Sequence, residues 1–299
     1  MNALYRPPTV LTLGAFSLLL LAGCATSFSR SEGDRIALCG QEAADGALAF
    51  YEDARTAAAD NAYYQGYLRI VVSPEPDKVD FTRVSDAAVA NEIDQRIKTY
   101  RAVRSAYALF QQLCADDAGK QTAPSYAALA ETLKALSGED TSFTETKKMA
   151  AALPNDWVVS RRQARRIDQA QRVLAKLSLE LSTLWEKEAP AWEAYIDTVY
   201  LRHYAAGLLS LRQANFDEKE LAKAVAEPYG ITVKAGLFKL QKYREAQQKA
   251  DRLKREIQQV SKTFDRLAQF NRQAGASSQH AQTTEPTTPA SNPNGRALP

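Results

Sequence analysis

Ile167, Ala170, Leu174, Leu177, Leu181 and Leu184 follow one another at alternating steps of three and four. That spacing lines them up on one stripe of an α-helix, the seam by which one helix packs along another. The same period returns over Val233, Leu237, Leu240, Tyr243, Ala250, Leu253, Ile257, Val260, Phe264, Leu267 and Phe270, a helix of about 40 residues and hence about 60 Å. Two long single-striped helices in succession cover each other most simply as an antiparallel hairpin, expected over residues 155–272. Asn155 or Asp156 caps its first helix. Pro190 interrupts that helix without ending it, because Trp192, Tyr195, Ile196 and Val199 resume the period, and a kink is predicted there. Between the arms, Asn215-Phe216-Asp217 turns the chain, and a short helix from Glu218 is broken by Pro228-Tyr229-Gly230.

An earlier hairpin is predicted over residues 34–115. Ile36, Cys39, Ala43, Phe50 and Ala54 carry a helical pattern from Asp34, weakened by Gly40 and Gly46 unless close packing requires them, with a break expected near Asn61. Ser73-Pro74-Glu75-Pro76-Asp77 ends it. A second helix begins at Ser85 or Asp86 and keeps Val89, Ile93, Ile97, Tyr100, Val103, Tyr107, Phe110 and Cys114 on one face. With the turn centred near Asp77, Cys39 and Cys114 lie at nearly equal distances before and after it, so the pattern predicts a Cys39–Cys114 disulfide worth about 4–5 kcal/mol. Shorter helices are expected over residues 122–153, and residues 273–299, rich in Ser, Gln, Thr, Pro and Asn, are expected to be a disordered tail. From residue 85 onward no stretch alternates with period two over a useful length. The reading is therefore all-α: one helical domain over 34–272, an elongated antiparallel bundle of two long hairpins with short connecting helices.

The first residues carry a different message. Arg6 precedes an apolar run, Val10 to Leu21, which ends in Leu21-Ala22-Gly23-Cys24. The run is too short to span a bilayer, which takes about 20 apolar residues. Charge, apolar run and small residues ahead of a cysteine resemble the signal peptide and lipobox of bacterial lipoprotein precursors, over about the first 26 residues. The resemblance implies that residues 1–23 are removed, that Cys24 is acylated on its thiol, and that residues 24–33 form a flexible spacer between lipid and domain. It also implies an address: Ala25 after the cysteine, where Asp would be the retention signal, favours the outer membrane, with the domain facing the periplasm.

Composition excludes more than it indicates. Basic and acidic side chains nearly balance, 38 against 35, so no global field draws the chain to nucleic acid. There are two histidines, His203 and His280. Position 200 is tyrosine, where a dimetal helical bundle would need glutamate, and two cysteines so far apart make no zinc framework. No metal and no cofactor is expected. His203 reads as a partly buried histidine bonded to a nearby tyrosine or carboxylate, and the acidic pairs Glu186/Glu188 and Glu193/Asp197 as solvated helix faces, with a carboxylate-based cell-wall or lipid hydrolase as the alternative.

Two groups stand out as candidate partner-binding residues. Arg161, Arg162, Arg165 and Arg166 gather positive charge at the start of a long helix, where it opposes the helix dipole and calls for an acidic counterpart. Trp185, Trp192 and Tyr195 cluster around Pro190, as core packing or as a crevice for a small ligand or a partner's anchor residue. The expectation is a non-enzymatic, membrane-anchored helical scaffold or binding module for another envelope protein or polymer, of which an immunity lipoprotein is a sharper version.

Overall fold

The computed structural model describes residues 11–72, 87–115, 122–136, 141–153, 163–204, 218–233 and 242–283, with side chains described except at 11–30, 72, 122–124, 141, 163–165, 242–243 and 274–283. The fold is all-α. Its helices are α1 (Leu11–Val72), α2 (Ala87–Ala115), α3 (Thr122–Ala135), α4 (Thr144–Ala151), α5 (Gln163–Asp197), α6 (Glu218–Tyr229) and α7 (Lys242–Thr283). A 3₁₀ turn at Thr141–Phe143 leads into α4, and a π-helical turn at Thr198–His203 continues α5. Among the described residues no strand occurs.

Four long helices carry the core. Gly33 faces Cys114 and Gly40 faces Tyr107, so α2 runs antiparallel to α1. Glu42 pairs with Arg266, Asp53 with Arg252 and Asp60 with Lys249, so α7 is antiparallel to α1 as well. Trp185 bonds Ser261 and Ser178 bonds Asn271, which sets α5 antiparallel to α7. The result is an up-down-up-down bundle in which the two expected hairpins, α1/α2 and α5/α7, close on one another. The short helices sit at its ends. α4 has no side-chain cap of its own, and Glu180 of α5 supplies one, accepting from the amides of Glu145 and Thr146 at 3.1 and 3.2 Å and from the Thr146 hydroxyl at 2.6 Å.

α1 lies at the centre. Three successive residues, Ala57, Ala58 and Ala59, are all buried, and along the better part of the helix only a narrow stripe, Leu38, Glu42, Asp45, Ala49, Glu52 and Thr56, is left exposed. It is one unbroken helix of 62 residues. It runs through residues 24–33, expected as a flexible spacer, and does not break near Asn61; no proline occurs between Leu11 and Val72 to stop it. At the other terminus α7 continues to Thr283, past residue 272 where the disordered tail was expected to begin, through Gln- and Ala-containing sequence compatible with a helix. Residues 284–299 lie outside the described residues. Pro190 is held inside α5. It is exposed, as is Glu186, whose carbonyl loses its amide partner and can turn to water, so α geometry is abandoned only later, at the π turn.

The predicted disulfide is absent: Cys39 and Cys114 are both buried and not bonded to each other. Register is the reason. With Gly33 against Cys114 and Gly40 against Tyr107, the two cysteines are offset by about six residues, about 9 Å of helix rise, beyond the Cα separation a disulfide spans. Burial pushes the Cys39 thiol up, opposed by the Arg266 guanidinium that hydrogen-bonds it.

Gly40 and Gly46 now separate. A Cβ on Gly40 would stand 2.4 Å from the Tyr107 ring, whereas one on Gly46 would meet only Val260 Cγ2 at 3.6 Å, an ordinary contact. Gly40→Ala is therefore expected to destabilise by about 1–3 kcal/mol, and Gly46→Ala to stabilise by about 0.5–1 kcal/mol, in urea or thermal unfolding.

Candidate functional site

The aromatic group around Pro190 is taken up in packing. Trp185 is fully buried and donates its indole N–H to Ser261 Oγ at 2.9 Å, while Trp192 is half-buried against the core. Phe50 meets the rings of Trp185 and Trp192 edge-on at 5.3 and 5.6 Å, and Tyr51 stacks on Tyr100 at 5.6 Å. Tyr195 stands edge-on to Trp192 and accepts from Asn61 Nδ2 at 3.2 Å. Of the basic group, Arg161 and Arg162 lie outside the described residues, as does the Arg165 side chain. Arg166 lies over the Tyr126 ring of α3 at 5.8 Å, so a neighbouring helix already engages it. Downstream, Arg172 pairs with Asp168 at 2.7 Å.

The acidic pairs are dispersed into structural roles. Glu188 accepts from Arg96 at 2.7 Å and from the Tyr51 hydroxyl, tying three helices together, and its carboxyl is nonetheless pushed up because burial outweighs those two hydrogen bonds. Asp197 pairs with Lys254 at 2.5 Å. Among the described residues no three His, Cys, Asp or Glu side chains gather as a metal site requires, and no helix is long and apolar enough to cross a membrane.

Polar side chains converge elsewhere, where the π turn crosses α1. The wider turn aims Tyr200 and His203 at consecutive α1 residues. Tyr200 donates to Asp60 Oδ2 at 2.9 Å, and His203 Nδ1 lies 2.6 Å from Asn61 Oδ1. Because Asn61 turns its amide N–H₂ to Tyr195, its oxygen accepts, and Nδ1 of His203 carries the proton. Asp60 is buried, 5% exposed, and also accepts from Lys249 Nζ of α7 at 2.8 Å; that ammonium lies 5.6 Å from the centre of the Tyr200 ring. A buried carboxylate is thus shared between a phenol and an ammonium brought from two other helices. Burial and the Asp60 charge hold the Tyr200 phenol well above its ordinary range, so it remains a donor.

Beside this cluster is a cavity of about 310 Å³, floored by Asp60 and Lys249 and walled by Tyr64, Tyr204, Val233 and Glu245. The rings of Tyr64 and Tyr204 meet edge-on at 5.4 Å. A smaller hollow of about 120 Å³ lies on the other side of Lys249, against Asp53, Tyr200 and Arg252. The residue 231–233 segment lines the larger cavity and also an open groove of about 630 Å³ along α6. His203 is partly buried as expected, but its partner is the Asn61 amide oxygen and not the tyrosine or carboxylate expected. Asp60 was not singled out from sequence; its signal is a lone acid directly after Ala57-Ala58-Ala59 and ahead of Tyr63-Tyr64.

No family model matches the chain, and no curated protein or solved structure matches it. What the site can do is therefore argued from its own geometry.

Two outcomes follow from that geometry. Lys249→Met leaves Asp60 buried with only the phenol, and should cost about 1–3 kcal/mol in urea unfolding, much of it recovered by Asp60→Asn in the same chain. His203 is held below its ordinary value of 6.5, by burial first and then by the Arg202 charge. The unfolded chain then binds this proton more readily than the folded one, so stability is lost as pH falls from 6.5 towards the lowered value. His203→Gln should shrink the drop in Tm between about pH 7.5 and about pH 5.5 relative to wild type.

Proposed function

We propose that the chain is a lipid-anchored binding module of the bacterial cell envelope, acylated at Cys24, that works by contact with an envelope protein or polymer and not by bond-breaking. The supporting observation is continuity: the helix that carries Leu21-Ala22-Gly23-Cys24 is the one whose residues from Ile36 onward form the centre of the bundle. An acyl group at Cys24 would be joined to the core by a single helix and not by a loose spacer, with about 14 Å of rise from Cys24 to Gly33. Such a tether fixes orientation as well as address. Three acyl chains, as the lipoprotein class implies, hold a protein far more firmly than one, since each buried methylene contributes about 0.8 kcal/mol.

The end of the bundle nearest the anchor is also where α5 begins. Tyr107, which faces Gly40 of α1, donates to the Leu174 carbonyl at 3.3 Å, and Arg165 and Arg166 lie still closer to the start of α5. The start of α5 then stands level with the membrane-proximal part of α1, so a cationic group there would meet anionic head groups or an acidic partner.

Mass spectrometry of the protein purified from membranes should find residues 1–23 gone and Cys24 acylated. Cys24→Ala should leave the protein out of the washed membrane fraction, and Ala25→Asp should move it from the outer to the inner membrane. An unmodified Cys24 thiol on membrane-extracted protein overturns the proposal.

A further inference from the structure

We propose that the cavity beside Asp60 binds a small organic cation, an ammonium or quaternary ammonium group seated against Glu245 with its apolar body against Tyr64, Tyr204 and Val233. The inference goes beyond the anchoring proposal and holds whether or not Cys24 is acylated.

Charge carries it. The ionisable side chains lining the cavity, tyrosines aside, are Asp60, Glu245 and Lys249. Glu245 and Lys249 are four apart on α7, with the glutamate first, the arrangement in which the two normally pair along a helix face. Lys249 does not take that bond. It turns inward and places Nζ 2.8 Å from the buried Asp60 carboxylate, which also holds the Tyr200 hydroxyl. The charge of Lys249 is spent on Asp60, and among the described residues no cation pairs with Glu245. The cavity is left with a net charge of about −1, sited at its mouth on an exposed carboxylate. That charge is felt inside: it adds to burial in holding the Tyr204 phenol above its ordinary range.

The walls suit the same guest. Tyr64 and Tyr204 set two aromatic rings at 61° to each other, and aromatic faces attract cations, most strongly where water is excluded. Ile231, Val233 and Ala246 supply apolar surface for methyl or methylene groups. An anion would meet Glu245, and among the described lining residues the cation, Lys249, is already committed to Asp60. A volume of about 310 Å³ is at the low end for ligand pockets, so the guest is a head group or small amine, not a polymer chain.

The test uses the full-length protein in maltoside detergent, titrated by calorimetry with choline and, separately, with its neutral isostere 3,3-dimethylbutan-1-ol. Choline should bind saturably, more weakly as NaCl is raised, and the neutral isostere at least about tenfold more weakly. Glu245→Gln, a change at an exposed position that should leave far-UV circular dichroism unaltered, should weaken choline binding by about tenfold. Equal binding of the isostere would reduce the site to an apolar hollow, and choline binding unchanged in Glu245→Gln would place the cation elsewhere. Either result, or no choline binding to the wild-type chain, overturns the proposal.

Discussion

A helix buried over most of its circumference has to be thin, and α1 is thin where its neighbours come closest. Ala37, Ala43, Ala44, Ala47, Ala54, Ala57, Ala58, Ala59 and Ala62 are all buried, and Gly40 lies directly under the ring of Tyr107. Small side chains let α2, α5 and α7 approach together, but each contributes little apolar area. The deficit is offset at one level, where Phe50 and Tyr51 fill the centre and meet Trp185, Trp192, Tyr100 and, through those rings, Phe264. Edge-on and offset aromatic pairs add about 0.5–1.5 kcal/mol each beyond the area they bury. Close backbone approach along α1, with one aromatic layer across it, is the arrangement on which the other contacts depend.

Packing of small residues is tolerant of sliding, so register needs another source. Charges supply it. The outward edge of α1 is acidic, and its partners answer with bases: Asp45 with Arg104 at 2.6 Å, Glu52 with Arg101 at 3.1 Å, and Asp53 and Glu42 with Arg252 and Arg266 of α7. Exposed pairs of this kind add about 0.2–1 kcal/mol apiece, too little to hold a fold and enough, in series, to penalise a shifted one. The buried groups are stricter. Moving α5 against α1 by one turn would strand Glu188 away from Arg96 and Tyr51, and Asp60 away from Tyr200, and an orphaned buried charge costs several kcal/mol. The π turn belongs to the same logic: one wider turn lets Tyr200 and His203 reach successive residues of α1 while Val199 and Tyr204 remain in the core.

Sequence pattern exposes helices that bury one stripe and conceals how far round a more deeply buried helix is covered. The stripes of α2, α5 and the body of α7 were readable: Ile93, Ile97, Tyr100, Val103, Tyr107, Phe110 and Cys114 are all buried, as are Leu174, Leu177, Leu181, Ile257, Val260 and Phe264, but Val233, counted into the last stripe, is not helical and α7 begins only at Lys242, while Leu237 and Leu240 lie outside the described residues. α1 is buried well beyond the stripe of Ile36, Cys39, Ala43, Phe50 and Ala54, so its glycines suggested weakness and Asn61 a break that neighbouring helices override. The cysteine pairing failed for a related reason. Symmetry about a turn fixes register only to within a few residues, and an error of six residues separates thiols that pattern alone would join. Asp60 and Lys249 lie 189 positions apart, and nothing local marks one as the counterion of the other. Long-range polar pairing is the part of a helical bundle that periodicity does not carry.

The proposed anchor and the cavity occupy different ends of the same helix. Roughly 36 residues separate Cys24 from Asp60, about 54 Å along α1. On the proposed anchoring, the acyl chains fix one end of the bundle at the bilayer and the cavity stands well outside the head-group layer, beyond the reach of the membrane's own surface potential, which decays within about 10 Å. A cationic guest would then be met in the aqueous space or on an opposing surface, and not in the leaflet that holds the anchor. Lys249 links that guest to the fold. Its ammonium neutralises Asp60 inside the bundle and, by being spent there, leaves Glu245 uncompensated at the mouth, so the pairing that stabilises the core also sets the charge of the cavity.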